Sequence, residues 1–160
     1  PSAGSLTLAG VAVTAGQVVS VADITAGNLV FTPAADATGI GCASLTFSVR
    51  DSNNAYDAVP NTLTVNVTAV NDAPTDLSLS ANTVVENAAN GTVVGTVTGT
   101  DVDTGDTKSY RLTDTAGGRF AIDSSTGQIT VADGRLLNYE SATSHSVTVR
   151  VTDSGGRSYD

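Results

Sequence analysis

Side chains that could hold a hard cation gather in the second half of this chain. Asn71 and Asp72 stand immediately before Ala73 and Pro74. Asp101 and Asp103 follow a run of alternating Val, Gly and Thr (Gly91 to Thr100), and Asp153 follows another alternating run, Ser146 to Thr152. Of the 16 acids only Asp23, Asp36, Asp51 and Asp57 lie before Val70, so a cation site is expected after it. Calcium takes about six to eight oxygens and accepts carboxylates, amide carbonyls, backbone carbonyls and water in one shell. Asp101 and Asp103 are two residues apart, so an extended backbone would aim them at opposite faces. A turn has to bring both to one ion, and Gly99 and Gly105 supply the local freedom. If the strand ends at Asp101 and Asp153 share the pole where the chain enters the domain, Asp101, Asp103 and Asp153 converge on Asn71 and Asp72.

The elements that must position these groups are strands. Hydrophobic residues make up 40% of the chain, mostly Val, Ala, Leu and Ile interspersed with Thr and Ser, which suits pleated, half-buried surfaces. From Ser5 to Phe31 short period-two runs (Leu6/Leu8, Val11/Val13, Val19/Val21, Leu29/Phe31) are broken by Ala-Gly pairs, which predicts hairpins rather than helices. Strands are predicted at Leu45 to Val49 and Thr62 to Val70. Beyond the Asn71 to Pro74 stretch they are predicted at Leu77 to Ser80, Thr83 to Val85, Gly91 to Thr100, Lys108 to Leu112, Arg119 to Ile122, Gln128 to Val131 and Ser146 to Thr152. No segment sustains a 3.6-residue apolar period with caps. Turn signals every 8 to 12 residues or so predict an all-β chain with one β-sandwich in each half. The boundaries are 1–70 for the first sandwich, 71–74 for the linker and 75–160 for the second.

Composition narrows the function classes. A net charge of −9 argues against nucleic acid or an anionic membrane as partner and favours divalent cations. No apolar run is long enough to insert in a membrane. Cys42 is the one cysteine, which rules out an intrachain disulfide or a thiol metal cluster and reads as a small core residue. His145 is the one histidine; it sits in a polar patch and reads as a surface residue, since one His makes neither a zinc site nor a triad. Asp101 to Asp106 has the acidic start of an EF-hand loop. Its sixth position is Asp106 rather than Gly and its twelfth is Leu112 rather than Glu, so that reading is rejected. Asn66 and Asn90 fit the N-x-Thr glycan pattern, a match common by chance. There is no phosphate loop and no nucleophile elbow, and no enzymatic activity is expected. The absence of Met and of a signal sequence at Pro1 reads as a piece excised from something longer.

Five segments of the second half, in order, resemble a cadherin repeat of the kind found in bacterial surface adhesins: Val84 to Asn87 (VVEN), Asp101 to Asp103 (DVD), Gly117 to Val131 (GGRFAIDSSTGQITV), Leu137 to Glu140 (LNYE) and Val149 to Gly156 (VRVTDSGG). Val70 to Pro74 (VNDAP) resembles a shortened inter-repeat linker. The first half resembles the Ig-like or cadherin-like sandwich repeats that stand in tandem in the same adhesins, through Leu29 to Asp36, Ala43 to Ser52 and the closing VNDAP. The resemblance implies two tandem Greek-key β-sandwiches, with edge strands missing at both ends of the fragment. It implies Ca²⁺ at the junction, with Asn71 giving its side-chain oxygen, Ala73 its backbone carbonyl, Asp72 facing a second ion, and Asp101, Asp103 and Asp153 completing the site. Glu86, Asn138 and Glu140 would face the far pole as a weak or empty distal site. The first half has no Glu, so one well-formed junction ion is expected rather than a full set of three. The implied role is a secreted or cell-surface stalk module stiffened by calcium, with adjacent repeats of the same polypeptide as partners. Calcium-dependent homophilic adhesion, with self-association, is one alternative. Glycan binding as an accessory module of a polysaccharide-degrading enzyme is another.

Overall fold

A computed structural model describes all of residues 1–160, in two compact units, Pro1–Val70 and Asn71–Asp160. Strand accounts for 38% of the chain and helix for 5%, so the all-β expectation holds.

The first unit is two small sheets. Strands β1 (Ser5–Leu8), β2 (Val11–Ala12) and β3 (Leu29–Thr32) pair antiparallel in the order β2-β1-β3, and β4 (Gly39–Phe47) pairs with β5 (Asn61–Val67). In the β4–β5 register Ala43 faces Val65 and Leu45 faces Leu63. Of these only Ala43 is buried, and no other apolar side chain of the unit reaches that state. Ile40 is 95% exposed and Val21 79%, so the core of this unit is thin. Cys42 is half-buried on β4.

The predicted strand through Val19 and Val21 is instead a short helix, α1 (Val21–Thr25). Capping overrides the alternation here. The Asp23 N–H donates to the Ser20 hydroxyl oxygen at 3.0 Å, and that hydroxyl donates to the Asp23 carboxylate at 2.6 Å. A Ser followed three residues later by an acid satisfies the orphan donors of a first helical turn, an advantage that two valines in isolation cannot match.

The second unit is a sandwich of two antiparallel sheets. Strands β6 (Asp76–Leu79), β7 (Val93–Thr100), β9 (Phe120–Ile122) and β10 (Gln128–Val131) form one sheet in the order β6-β7-β10-β9. Strands β8 (Ser109–Asp114), β11 (Thr148–Thr152) and β12 (Ser158–Tyr159) form the other in the order β12-β11-β8. The chain crosses between sheets after β7 and again after β8, and β10 returns to lie beside β7, as a Greek key requires. Val97, Phe120, Ile129 and Val131 from the first sheet, with Ala88 and Leu137 from loops, make the core, closed by Tyr110, Leu112 and Val149 of the second sheet. Val131 and Val151 are fully buried; each side chain so placed contributes roughly 1.5–3 kcal/mol.

Two readings of single segments change. Thr83 to Val85 forms no strand, because its backbone joins no ladder; Val84 packs on the core while Val85 stays exposed. His145 is half-buried rather than a plain surface residue, its ring tilted against Phe120 at a centroid distance of 6.4 Å.

The turn between β9 and β10 is held by one carboxylate. Asp123 Oδ1 accepts from the Ser125 and Thr126 hydroxyls and from both of their N–H groups, at 2.8–3.0 Å. The Ser125 hydroxyl first, and then the Thr126 N–H, lower its pKa from 3.8 to about 2. A carboxyl whose pKa is lower in the folded than in the unfolded chain contributes stability that is present above the unfolded value and lost as pH falls through the folded one. The Asp123 carboxyl carbon should therefore titrate with a midpoint near 2 in a ¹³C NMR pH series, its contribution fading from about pH 3.8 downward. A midpoint at the ordinary Asp value would refute the four-bond clasp.

Candidate metal centre

Strand register brings the acids together. In the β6–β7 pair Asp76 lies opposite Thr100, and the Thr75 N–H donates to the Thr100 carbonyl at 2.9 Å. Residues 71–74, which precede β6, therefore run beside Asp101 and Asp103, which follow β7. In the β8–β11 pair Ser109 lies opposite Thr152, so Asp106, just before β8, stands near Asp153, just after β11. All of these positions belong to the second unit.

The closest group is Asp101, Asp106 and Asp153, whose carboxylate oxygens lie within 4.8 Å of one another. Asp153 is 6% exposed. Its Oδ1 accepts from the Arg157 N–H at 2.7 Å, and its Oδ2 accepts from the Asn71 side-chain amide at 2.9 Å. Gly155 makes that second contact feasible, since a Cβ there would run into the Asn71 carboxamide. Asp101 Oδ1 accepts from the Asp103 N–H at 2.9 Å, while Asp101 Oδ2 is buried without any hydrogen-bond partner. Asp103 Oδ2 accepts from the Asp72 N–H at 2.7 Å. Asp106 accepts from the Ser154 hydroxyl and from the Thr107 N–H, and these bonds, led by the Ser154 hydroxyl, hold its pKa below the usual carboxylate range.

Of the residues expected from sequence, Asp153 therefore bonds to Asn71 and lies beside Asp101. Asp103 and Asp72 meet through the Asp72 backbone, with the Asp72 side chain exposed. Ala73 is half-buried between Asp72 and the buried Pro74. Asn71 here presents its NH₂ to Asp153, and a half-turn of the carboxamide exchanges that donor for its oxygen. The sequence reading did not place Asp106 in this cluster. Its signal is the third Asp of DVDTGD, placed where β8 begins rather than where β7 ends. At the opposite pole Glu86 Oε2 accepts from the Tyr139 N–H at 3.1 Å, Asn138 Oδ1 accepts from the Ser141 N–H at 2.9 Å, and Glu140 is exposed.

A hard dication fits the junction residues. The side chains brought together here are carboxylates, a hydroxyl and a carboxamide, all of which carry oxygen, and neither salt bridge of the chain (Arg135–Asp133, Arg150–Asp160) reaches them. An orphaned, buried carboxylate oxygen beside two further carboxylates is costly unless a cation or donor completes it.

A two-sheet Greek-key sandwich with a cluster of carboxylates at the pole where the chain enters defines a class of all-β sandwich module. Residues 81–160, half of the chain, match the cadherin domain family. The structure is similar to that of chicken VE-cadherin EC1-2, with a TM-score of 0.58 and 26% sequence identity, over 82% of this chain and 67% of that one. Cadherin-23 of Mus musculus and of Rattus norvegicus are each 46% identical over 70 residues, 42% of this chain. The chain spans about 2% of the length of these curated relatives. It belongs to the cadherin domain family. Domains of this family are adhesion and calcium-binding repeats, typically extracellular or surface-exposed.

Proposed function

We propose that this chain is a non-catalytic, calcium-binding structural segment of a large bacterial surface adhesin, and that its junction centre stiffens the polypeptide leading into the second sandwich. The observation that carries the reading is the buried, partnerless Asp101 Oδ2 set against the Asp106 and Asp153 carboxylates. Bound among Asn71, Asp101, Asp103 and Asp153, Ca²⁺ supplies the positive charge that these side chains lack. The chain's own contribution is to hold its first residues to the pole, Asn71 through Asp153 and Asp72 through Asp103. Ligation by the same groups restricts the swing of residues 70–73. The short VNDAP linker supports the bacterial assignment, and the lack of Glu in the first half supports one junction ion rather than three. Extracellular calcium modules bind at roughly 10⁻⁴ to 10⁻³ M, matched to external calcium rather than to signalling.

Family membership also favours calcium-dependent self-association as a second reading. Nothing comparable favours glycans: Tyr56, Tyr139 and Tyr159 lie on separate elements, and Tyr110 is turned inward, its hydroxyl oxygen accepting from the Gly99 N–H. Calorimetric titration with Ca²⁺, paired with small-angle scattering, tests the stiffening. One ion bound and a narrower distribution of maximum dimension in Ca²⁺ are expected. Zero stoichiometry with scattering unchanged by chelator would sink it, and bead aggregation with and without Ca²⁺ tests the adhesive reading.

A further inference from the structure

We propose that Arg111 and Arg150, side by side on the outer face of the β12-β11-β8 sheet, form a docking site for an acidic protein segment, taking one of its Asp or Glu carboxylates on their guanidinium groups. The site shares no residue with the carboxylate cluster and does not depend on bound calcium.

Strand alternation exposes the pair. Tyr110 and Leu112 of β8 and Val149 of β11 pack on the core, and Val151 is fully buried, so Arg111 and Arg150 stand on the opposite face. The β8–β11 register sets the two arginines directly across from each other. Facing side chains of an antiparallel pair have Cβ atoms about 4.5–5.5 Å apart, and like charges so placed are destabilising. One counter-charge is already in place. Arg150 donates from Nε and Nη2 to the two carboxylate oxygens of Asp160, which follows β12 on the side of β11 remote from β8. The Asp160 carboxyl is held below the usual carboxylate range first by its bonds to Arg150 and also by the charge of Arg111, so the second guanidinium lies within Coulombic reach of the same carboxylate. One carboxylate offsets only one of the two cations. Arg111 is exposed and enters neither salt bridge, and the bonds to Asp160 leave Nη1 of Arg150 uncommitted.

The counter-charge already present indicates what fits. It is a side-chain carboxylate carried on extended peptide and gripped by a planar fork, the pairing that a guanidinium makes in bidentate fashion. Across the sheet the row reads minus, plus, plus, and a second carboxylate completes it. The flanking rows are hydroxylated: Ser109, Thr152 and Ser158 lie opposite one another on one side, and on the other the Thr113 hydroxyl donates to the Thr148 carbonyl. Hydroxyls on both flanks offer hydrogen bonds to a peptide backbone, and recognition of acidic motifs by clustered arginines is a recurring mode. The net charge of −9 does not prevent this, because at physiological salt exposed charges are screened beyond about 8 Å.

The test is a ¹H–¹⁵N titration of the arginine Nε–H resonances of the full chain with a capped hexaglutamate peptide. Low salt is used, where surface charges are least screened, and calcium is removed without a soluble chelator, which is itself a carboxylate. Arg111 and Arg150 are expected to shift together and saturate, Arg135 to stay in place, and capped hexaglutamine to move none of them. Arg111→Gln is expected to weaken binding read at Arg150 by roughly fivefold, with Arg135→Gln within about twofold of wild type. Absence of a saturable shift at Arg111, equal movement of Arg135, or an equal loss in the two variants overturns the site. Inorganic sulfate saturating at a lower concentration than the peptide overturns the choice of an acidic segment as partner. The wild-type shifts decide the matter by themselves if either variant fails to fold.

Discussion

Asp101→Asn is expected to shift the melting temperature of the second unit in opposite directions with and without calcium. In chelator the wild-type side chain carries a buried oxygen with no donor, facing two further carboxylates. The carboxamide keeps the oxygen that accepts from the Asp103 N–H at 2.9 Å and replaces the orphan with an NH₂ that has acceptors nearby. Filling an unsatisfied buried site is worth about 1–3 kcal/mol. A rise of several degrees is expected, since about 1 kcal/mol moves a domain of this size by roughly 4–8 °C. In millimolar Ca²⁺ the order reverses, because the variant has lost a charged ligand and with it part of the binding free energy added to the folded state. Differential scanning calorimetry in chelator and in Ca²⁺ checks both signs. A variant less stable than wild type in chelator would mean that Asp101 Oδ2 is satisfied in solution and that the centre is not strained toward a cation.

Asp153→Ala should instead lose on both counts. The side chain is 6% exposed and takes one bond from the Arg157 N–H and one from the Asn71 amide. Its removal strands two donors and opens the turn of residues 153–157, which also rests on the Asp153 N–H bond to the Arg157 carbonyl at 3.0 Å. Roughly 2–4 kcal/mol is expected from losing both bonds, a drop on the order of 10 °C or more in chelator. Calcium should recover little of it. Chemical denaturation in chelator is the cleanest reading, with the change confined to the midpoint and the slope unaltered. If Asp153→Ala matches wild type in chelator, the turn is held by its backbone alone and the carboxylate is free to serve only the ion.

Period-two patterning reported most of the second unit. Gln128 to Val131 is a strand at the predicted bounds, and the alternation of Gly91 to Thr100 buries Gly95, Val97 and Gly99 while leaving Thr98 and Thr100 outside. It misread Val19 to Val21, where Ser20 and Asp23 build a helix cap whose effect exceeds that of two apolar side chains. In the site, Asn71, Asp101 and Asp153 were legible because each abuts a predicted strand, so adjacency in the fold followed from strand pairing. Asp106 was not legible in that way. Its place depends on a four-residue turn, Asp103 to Asp106, through Gly105 and on the β8–β11 register, and neither follows from spacing alone.

The unequal cores of the two units have a mechanical consequence. The units are joined covalently in series, so a pull on the ends of the chain applies the same tension to both. One buried apolar side chain resists in the first unit, and seven resist in the second, where a bound ion would add to them. The first unit should yield at the lower force and return most readily when the load is released, acting as an extensible segment ahead of a stiff one. Single-molecule pulling with and without Ca²⁺ should show the early event unmoved by calcium and the later one displaced to higher force.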